Sequence, residues 1–417
     1  MEDSAADVVV LGGGAIGLSC ALQLVLAGRS VRLIERASVG GATSQGNCGT
    51  ITPSHAPPLA APGTLAKALK WMLRPDAPLY VKPRLDPALA AWLLHFAGRC
   101  NRRDWQRSAQ AKGALLRLSR QLLEDLVRER ALDCGFERLG LRYVYRHERN
   151  FARDRHDLAG LVELGIESTL LDGGQLASAE PALLPGLAGA IEFPGDAHLR
   201  PDRYCAELAR LLRELGGVIE EGVEVTGLRE ARGRVEGVDT SRGPRRASQV
   251  LVALGPWSAP WLAASGLRLP IQPGKGYSIT WPRPAIAPRV PMVLREHSVC
   301  VTAWNDGFRL GSTMEFSGYD ASLNRLRLAA LERAAAGYLV EPTGPGPGQE
   351  WFGWRPMTWD DLPILGPAPR HDGLWLATGH GMMGIGMSTA TGRLMAEMMT
   401  GADPCLDPSP YRPERFA

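Results

Sequence analysis

The sequence predicts a combined α/β and α+β architecture, in which a Rossmann-like nucleotide-binding domain is interleaved with a mixed-sheet domain carrying helical insertions. The chain opens with an apolar strand, a glycine-rich turn and a helix, and its 417 residues are too many for one core to be the default. The alternation of strand and helix stops after this opening and resumes twice later. We therefore assign residues 1–75, 200–270 and 355–417 to the nucleotide-binding domain and residues 76–199 and 271–354 to the second domain.

The opening unit has the spacing of a dinucleotide-binding turn. An apolar strand ends at Leu11 and leads into Gly12, Gly14 and Gly17 in a Gly-x-Gly-x-x-Gly pattern. Gly12 permits the tight turn, Gly14 lets the backbone approach a pyrophosphate, and Gly17 lets the following helix pack closely on the strand. The turn therefore predicts a dinucleotide cofactor.

The elements after the turn complete this unit. A helix predicted over 15–27 points its first N–H groups, including those of Ala15 and Ile16, at the bound anion. A second strand then leads to Glu35, eighteen residues after the last glycine of the turn, where an acid binds ribose hydroxyls. We include the adjacent Arg36 among the cofactor-binding residues.

Composition and charge are those of a globular enzyme and exclude several other classes. Hydrophobic residues make up 45% and charged residues 22% of the chain. The net charge is +3 and the arginines are scattered among acids, which argues against a nucleic-acid partner. No apolar run approaches the roughly 18 residues that span a bilayer. Because the first strand follows closely on Met1, we expect no signal peptide and a cytoplasmic location.

The cysteines and histidines do not form recognisable metal sites. The seven cysteines are odd in number and widely spaced, and they include no Cys-x-x-Cys pair. We therefore expect neither a disulfide framework nor zinc, and a reducing compartment. The histidines have no ligand-like spacing, so no metal is predicted.

The region between the opening unit and residue 200 combines a long loop with helical patterns. Residues 43–63 are polar and rich in glycine and proline, and a loop of this length inside a compact domain is usually functional. Apolar residues then recur at helical spacing over 65–72, with basic residues on the opposite face. This helix either packs against the rest of the protein or makes a peripheral contact with a membrane surface or electron acceptor. Residues 86–131 contain two further helical patterns.

Strands and helices alternate again from residue 200 onward. The predicted helices cover 202–215, 324–339 and 387–399. The predicted strands cover 217–220, 223–226, 247–255, 276–280, 299–302, 308–310 and 374–377. The two predicted domains are therefore interleaved along the chain.

A second Gly-x-Gly-x-x-Gly pattern is formed by Gly379, Gly381 and Gly384. Taken alone it would indicate a second nucleotide site for NAD(P)H, but too few residues follow it for another complete unit with its acid. We interpret it as the loop that starts the last helix, whose positive end faces an electron-rich group. In a flavoenzyme that group is the ring edge that gains negative charge on reduction. One nucleotide site together with this helix favours FAD over NAD.

Several separated blocks of the sequence resemble the D-amino-acid dehydrogenases, within the larger family of D-amino-acid oxidase, glycine oxidase and sarcosine oxidase. Besides the opening unit, these blocks are residues 42–49, 59–63, 274–278, 354–358 and 378–381. The resemblance follows the same order over almost the whole chain. Residues 51–58 and 79–87 are more similar to the D-hydroxyproline dehydrogenase branch.

This resemblance implies a reaction and the residues that serve it. The family passes the α-hydrogen of its substrate to flavin N5 as a hydride, which mainly requires that the substrate be positioned. Arg355 lies where the family has its carboxylate-binding arginine. Tyr277 would donate a second hydrogen bond to that carboxylate, or else is a core tyrosine with a satisfied hydroxyl. His380 would contact the flavin or shape its loop, with proton transfer secondary, and His55 would face the substrate or bond to its own loop.

The resemblance also implies further contacts with FAD. They are Thr43, Ser44, Asn47 and Gly49 at the pyrophosphate and ring, Val225 at the adenine, Gly255 and Trp257, and the last loop with Gly379, Gly381, Met382, Met383, Gly384 and Ile385. Relatives with covalent flavin have a cysteine shortly after this arginine motif, whereas Met357 and Thr358 follow it here. We therefore expect non-covalent FAD.

The predicted activity is that of an FAD-dependent D-amino-acid or D-imino-acid dehydrogenase, with cis-4-hydroxy-D-proline or D-proline as substrate. Three alternatives stay open: a dehydrogenase of acyclic D-amino acids, an N-methylglycine-type demethylase, and an FAD subunit that transfers electrons without its own substrate. The electron acceptor would be a quinone, an electron-transfer protein or a partner subunit. No motif in the chain identifies it.

Overall fold

The computed structural model describes residues 5–66, 68 and 77–416. The strands are β1 (Ala6–Leu11), β2 (Val31–Glu35), β3 (Thr50–Ile51), β4 (Leu79–Val81), β5 (Leu141–Tyr145), β6 (Thr169–Asp172), β7 (Gly189–Phe193), β8 (Ala197–His198), β9 (Val218–Glu221), β10 (Val225–Ala231), β11 (Arg234–Thr240), β12 (Arg245–Val252), β13 (Gln272–Trp281), β14 (Met292–Leu294), β15 (Val299–Trp304), β16 (Gly307–Phe316), β17 (Gln349–Met357), β18 (Ile364–Pro367) and β19 (Leu374–Thr378). The helices are α1 (Ala15–Leu26), α2 (Pro87–Arg99), α3 (Arg102–Arg130), α4 (Glu148–His156), α5 (Ala159–Val162), α6 (Gly173–Ala179), α7 (Pro201–Glu214), α8 (Ser258–Ala263), α9 (Arg325–Ala336) and α10 (Gly384–Thr400).

The first sheet has a parallel layer in the order β9–β2–β1–β12–β19. Its central strand β1 is a continuous apolar run whose residues Val8 to Leu11 are fully buried, as expected for a parallel strand covered on both faces. The antiparallel strand β18 pairs with β19, and the β10–β11 hairpin joins the layer through β12. The sheet therefore combines strands from the beginning, the middle and the end of the chain.

Helices α1, α3, α7 and α10 pack on one face of this layer and share one apolar core. The contact between α1 and α10 is close because Gly392 has no side chain: a Cβ atom there would lie 2.5 Å from the carbonyl oxygen of Ser19. On the other side of α10, the Thr389 hydroxyl donates to the Ser119 carbonyl oxygen of α3 at 2.6 Å. The long helix α3 is thereby attached to the first sheet.

The second sheet is mixed and runs in the order β17–β13–β16–β15–β14–β5–β7–β6, with β4 added beside β16. Strand β13 pairs antiparallel with both β16 and β17, so it is covered on both edges. Helix α9 packs on this sheet, and its residues Leu328 and Leu331 enter the second core. A short β3–β8 pair forms a separate ribbon.

The predicted fold class is confirmed, although several element boundaries differ from the prediction. The strand expected over 223–226 begins at Val225 and runs to Ala231 as one arm of a hairpin. The strand expected over 247–255 ends at Val252, because Gly255 has a φ of +54° and starts a 3₁₀ turn. The last helix begins at Gly384, three residues earlier than expected.

Two observations bear on the suggested membrane contact. Most of the amphipathic helix expected over 65–72 lies outside the described residues. Among the residues that are described, no helix combines the length and the apolar character needed to cross a membrane.

Candidate active site

A cavity of about 430 Å³ lies where the carboxyl ends of the parallel strands meet the second sheet. This is where ligands bind in open α/β folds. Most of the residues predicted for catalysis or cofactor binding line this cavity. They are Gly12, Gly14, Ala15, Ile16, Glu35, Arg36, Thr43, Ser44, Asn47, His55, Val225, Gly255, Trp257, Tyr277, Arg355, His380, Gly381, Met382, Met383, Gly384 and Ile385.

Three predicted cofactor-binding glycines lie instead where the chain packs on itself. A Cβ atom on Gly17 would lie 1.9 Å from the Gly12 carbonyl oxygen, so Gly17 provides the close helix–strand contact. A Cβ atom on Gly49 would lie 2.0 Å from the Leu199 carbonyl oxygen. At Gly379 it would lie 2.9 Å from Thr358 Cγ2. These glycines allow the cavity wall to form, and they are not among the residues that line it.

Glu35, the acid predicted to bind ribose hydroxyls, closes the glycine turn. Glu35 Oε2 accepts from the Gly13 N–H at 2.7 Å, and Oε1 accepts from the Ala37 N–H at 3.0 Å. Each carboxylate oxygen has a second lone pair, so the group retains acceptor capacity toward a ligand. Glu35 therefore both holds the turn and lines the cavity.

Two helices begin at the cavity, and neither is capped by the side chain of its own N-cap residue. Gly14 is the N-cap of α1 and Met383 is the N-cap of α10. Free N–H groups and the helix dipole make such ends suited to an anion or to developing negative charge. Together with the cradle that the glycines form, these ends fit the pyrophosphate and the ring of FAD.

Residues 42–49 form a wall segment that is tied to both sheets. The Ser44 hydroxyl oxygen accepts from the Ala15 N–H at 3.2 Å, and the Thr43 hydroxyl donates to the Trp354 carbonyl oxygen at 2.8 Å. From β16, Arg309 Nη1 donates to the carbonyl oxygens of Gln45 and Asn47 at 2.8 and 2.5 Å. Sequence reasoning missed Arg309 because nothing in the sequence around this strand residue indicates that it binds carbonyl oxygens more than 260 residues earlier in the chain.

At the other end of the cavity, the expected adenine contact lies beside a tryptophan. The Trp261 Nε1 atom donates to the Val225 carbonyl oxygen at 3.2 Å, and both residues line the cavity. The Arg36 guanidinium lies 4.3 Å from the ring centre of Trp257. This end therefore presents flat surfaces suited to a planar base.

Arg355 enters the cavity from β17, where its place is set by the neighbouring strands. Its guanidinium lies over Gly276 of β13: a Cβ atom on Gly276 would be 2.3 Å from Nη2 and 2.4 Å from Cζ. Nη1 donates to the Thr313 carbonyl oxygen at 2.6 Å. That carbonyl belongs to an irregular part of β16, in which Thr313 has a φ of +61°. Burial lowers the pKa of Arg355 and the nearby Cys48 and Cys300 thiols raise it, but an arginine stays charged.

Tyr277 lines the cavity, but its hydroxyl proton has a protein partner. The hydroxyl donates to Glu315 Oε2 at 3.0 Å, and burial followed by the Glu315 charge raises its pKa. The hydroxyl is thus satisfied within the protein, as in the second of the two interpretations above, and a hydrogen bond from Tyr277 to a substrate carboxylate stays a prediction.

Both predicted histidines line the cavity, and both are neutral at physiological pH. Burial lowers the pKa of His380 to about 3, and its Nε2 lies 3.0 Å from the Thr391 hydroxyl of α10. Burial and the charges of Lys112 and Arg295 lower the pKa of His55 to about 3. His55 Nε2 lies 3.1 Å from the Tyr143 hydroxyl. Neither imidazole is poised to exchange a proton with solvent near neutral pH.

Several cavity residues were missed by sequence reasoning. Ser312, Trp351 and Cys300 line the cavity from the second sheet, and Cys48 lines it from segment 42–49. Cys48 follows the predicted Asn47 directly, so its position in the loop was a usable signal. Cys300 is separated from it by 252 residues, and no sequence pattern joins the two. Among the described residues, no group of three or more His, Cys, Asp or Glu side chains could hold a metal ion.

Comparisons with known proteins agree with this geometry. The sequence profile of the FAD dependent oxidoreductase family matches residues 7–398. A D-amino acid dehydrogenase of Chromohalobacter salexigens is 35% identical over 422 residues, covering 99% of this chain and 100% of the relative.

Two solved structures share the fold. Glycine oxidase from Geobacillus kaustophilus has a TM-score of 0.76 at 23% identity, covering 98% of both chains. L-proline dehydrogenase from P. horikoshii has a TM-score of 0.76 at 18% identity, covering 99% of this chain and 98% of the other. At such identities the likeness shows the fold alone, and the two proteins are named for different substrates, so the fold does not select the substrate.

Proposed function

The chain belongs to the FAD-dependent oxidoreductase family, and from that premise we propose that it is a D-amino-acid dehydrogenase whose substrate is a cyclic D-imino acid, D-proline or cis-4-hydroxy-D-proline. The amino-acid part of the proposal is supported by a relative of that name at 35% identity over essentially full length. The cyclic part is supported by the resemblance of residues 51–58 and 79–87 to the D-hydroxyproline dehydrogenase branch.

The observation that carries the proposal is the Arg355 guanidinium in the cavity wall. One of its nitrogens is bound to a backbone carbonyl oxygen, which fixes the plane of the group without neutralising its charge. A fixed planar cation binds a substrate carboxylate through two parallel hydrogen bonds. The amino group and α-carbon of the substrate are then held at a defined distance from the carboxylate.

FAD, when bound, supplies the two-electron acceptor for the substrate α-hydrogen. The parts of the chain that would hold it are the turn at Gly14, segment 42–49 and the loop before α10. The remaining task of the protein is to orient the substrate and to keep the site free of competing proton donors. His55 and His380 suit that task because both are neutral and engaged with hydroxyl groups.

The role of Arg355 can be tested by replacing it with methionine and with lysine. Arg355→Met should retain bound FAD but lose at least about 100-fold in kcat/KM, since removing one partner of a buried charge pair costs roughly 3 kcal/mol. Arg355→Lys keeps the charge and loses the bidentate geometry, so we expect a smaller loss. Flavin content and anaerobic reduction of the flavin by substrate are measured for each variant. Normal turnover by Arg355→Met would exclude the carboxylate-binding role.

The substrate class can be tested by anaerobic bleaching of the flavin absorbance with a panel of amino and imino acids. Rapid bleaching by D-proline or cis-4-hydroxy-D-proline, but not by D-alanine or the L-epimers, is expected. Bleaching by acyclic D-amino acids would support the proposed reaction but exclude a cyclic imino acid as the specific substrate. Bleaching by N-methylglycine would indicate the demethylase. No bleaching of the FAD-loaded protein by any of them would favour the electron-transferring subunit.

The proposed electron acceptor of the reduced flavin is a quinone, an electron-transfer protein or a partner subunit.

A further inference from the structure

Two cysteines from distant parts of the chain line the active-site cavity. Cys48 lies in segment 42–49 and Cys300 lies in β15, and both are half-buried free thiols. The other cysteines differ from this pair: Cys20, Cys134 and Cys205 are buried, and neither Cys100 nor Cys405 is among the cavity-lining residues. The pair is therefore distinguished by a shared position facing the site.

A hydrogen bond and the pairing of two strands bring these two thiols together. The Cys48 carbonyl oxygen accepts from the Thr302 hydroxyl at 2.9 Å, and Thr302 is two residues from Cys300 on the same face of β15. In the antiparallel pairing of β15 with β16, Cys300 lies directly opposite Gly311. Side chains at directly opposite positions have Cβ atoms about 5 Å apart.

Gly311 has no side chain, and the Cys48 sulfur occupies the space where one would lie. A Cβ atom on Gly311 would be 2.5 Å from Cys48 Sγ. The Cys48 sulfur thus lies next to Cys300 in the position of a cross-strand partner.

The surroundings make the two thiols unequal. The neighbouring Cys300 thiol lowers the pKa of Cys48, burial acts in the opposite direction, and the positive charges of Arg309 and Arg355 lower it further. The neighbouring Cys48 and burial raise the pKa of Cys300 well above its usual value. Cys48 is accordingly the nucleophilic member of the pair, and Cys300 is placed to react with it second.

We propose that Cys48 and Cys300 form an oxidation site, at which a hydroperoxide converts the two thiols into a reversible disulfide in the wall of the active-site cavity. The Cys48 thiolate attacks one oxygen of hydrogen peroxide, which breaks the O–O bond and gives a sulfenic acid and hydroxide. The Cys300 sulfur then attacks the sulfenic sulfur, and the leaving hydroxide departs as water with the thiol proton. Overall, the two thiols give up two electrons and two protons, and hydrogen peroxide takes up both and becomes two water molecules.

This disulfide would tie segment 42–49 covalently to β15 beside Arg355. Under the proposed function, the same segment holds the cofactor and the same arginine holds the substrate. We therefore expect oxidation to lower turnover and a thiol reductant to restore it. The activity measurement depends on the proposed function, whereas formation of the disulfide does not.

The experiment treats the FAD-loaded protein with hydrogen peroxide at a few molar equivalents and maps its peptides under non-reducing conditions. The expected result is a Cys48–Cys300 disulfide that dithiothreitol removes, with turnover falling and recovering alongside it. Cys405→Ser, which removes an exposed thiol outside the cavity, should still form the disulfide. A peptide map without this disulfide would overturn the proposal. A disulfide that leaves turnover with an established substrate unchanged would support the oxidation site and contradict its expected effect on turnover.

Cys300→Ser and an arsenical probe keep the test decisive. Cys300→Ser should accumulate a Cys48 sulfenic acid, trapped by dimedone, instead of a disulfide. If this variant does not fold, the wild-type protein is treated with phenylarsine oxide, which bridges two adjacent thiols and releases one water. Attachment of one arsenic to both Cys48 and Cys300, which prior treatment with peroxide prevents, would support the proposed thiol pair. Arsenic bound elsewhere or not at all contradicts it.

Discussion

At the scale of single residues, the position of the Arg355 guanidinium depends on the absence of a side chain at Gly276. Gly276 and Arg355 lie on adjacent strands, and the space that a Cβ atom of residue 276 would fill is occupied by Cζ, Nη1 and Nη2 of Arg355. Any side chain at position 276 must displace the charged group. Under the proposed function, substrate positioning therefore depends on a residue that need not touch the substrate.

Gly276→Ala should lower kcat/KM for a carboxylate substrate by about 100-fold while FAD stays bound, because a displacement of about 1 Å in a positioning group costs that much. Gly227→Ala is the matched control: Gly227 also lies in a strand, but a Cβ atom there would meet its nearest neighbour only at 4.0 Å. Steady-state kinetics and flavin content are measured for both variants. Equal kinetics for Gly276→Ala and wild type would show that the guanidinium is placed by other contacts.

Asp196 is a second residue that acts on the cavity without lining it: its buried carboxyl group lies beside the loop that holds His55. It accepts from the Ser54 N–H at 3.1 Å and from the Ser54 hydroxyl at 2.5 Å. Burial raises its pKa to about 7, while the Ser54 hydrogen bonds act in the opposite direction. Ser54 precedes His55, so the protonation of Asp196 bears on the loop that holds that histidine.

The raised pKa gives a definite pH dependence of stability. Between the usual pKa of 3.8 and the folded value of about 7, the unfolded chain releases this proton and the folded protein keeps it. The free energy of unfolding should therefore fall as pH rises through this range, by up to about 1.4 kcal/mol per pH unit from this group. In Asp196→Asn this contribution should be absent, so the variant's stability should depend less on pH between 4 and 7. Denaturant unfolding at several pH values tests this, and parallel profiles for the two proteins would contradict it.

At the scale of elements, segment 42–49 is a loop whose shape is imposed from β16. Arg309 donates to two of its carbonyl oxygens and, through Nε, to the Thr280 hydroxyl at 2.8 Å. One planar side chain thereby connects the segment with β13 and β16. A lysine cannot make this set of contacts because its donors are not arranged in a rigid plane.

Arg309→Lys should weaken FAD binding by roughly 10-fold, corresponding to about 1.4 kcal/mol, through loss of these hydrogen bonds. Arg283→Lys serves as control, since Arg283 also donates to a backbone carbonyl oxygen, that of Trp304, outside segment 42–49. The dissociation constant of FAD is measured by flavin fluorescence titration of the apoprotein. An unchanged constant would mean that the segment keeps its shape without Arg309.

Sequence reasoning performed well for local elements and less well for contacts between strands. The glycine turn, the acid Glu35 and the start of the last helix are encoded within short stretches, and the structure forms these elements close to the expected positions. The partners of Tyr277 and Cys300 depend on strand register and on loops packed across the sheet, which one sequence does not specify. The role of Gly276 depends on an adjacent strand about eighty residues away and was missed for the same reason.

At the scale of the whole molecule, a buried ion pair connects the long helix α3 to the loops around the cavity. Lys112 Nζ lies 2.6 Å from Asp361 Oδ2, with both side chains at most 5% exposed. The same carboxylate oxygen accepts from the Leu59 N–H at 3.2 Å, and a Cβ atom on Gly381 would lie 3.3 Å from Oδ1. Removal of the lysine would leave a buried carboxylate without its partner.

Lys112→Met should lower the free energy of unfolding by about 3–5 kcal/mol, the usual effect of leaving one buried charge unpaired. Lys82→Met is the control, because the Lys82–Asp320 pair is exposed and screened by solvent, so its loss should change stability far less. Adding Asp361→Asn to Lys112→Met should recover part of the loss. Urea unfolding measures all of these variants, and similar losses for Lys112→Met and Lys82→Met would contradict the assignment.

The parallel layer of the first sheet also determines when this protein can finish folding during synthesis. Strand β1 pairs with β2 and β12, and β12 in turn pairs with β19, which is translated more than 360 residues after β1 begins. Helix α10, which packs on α1, follows later still. Nascent chains held on the ribosome before residue 374 therefore lack one strand of the cofactor-binding layer and the helix that covers it. Such chains should depend on chaperones and be unable to retain FAD until the last part of the chain has emerged.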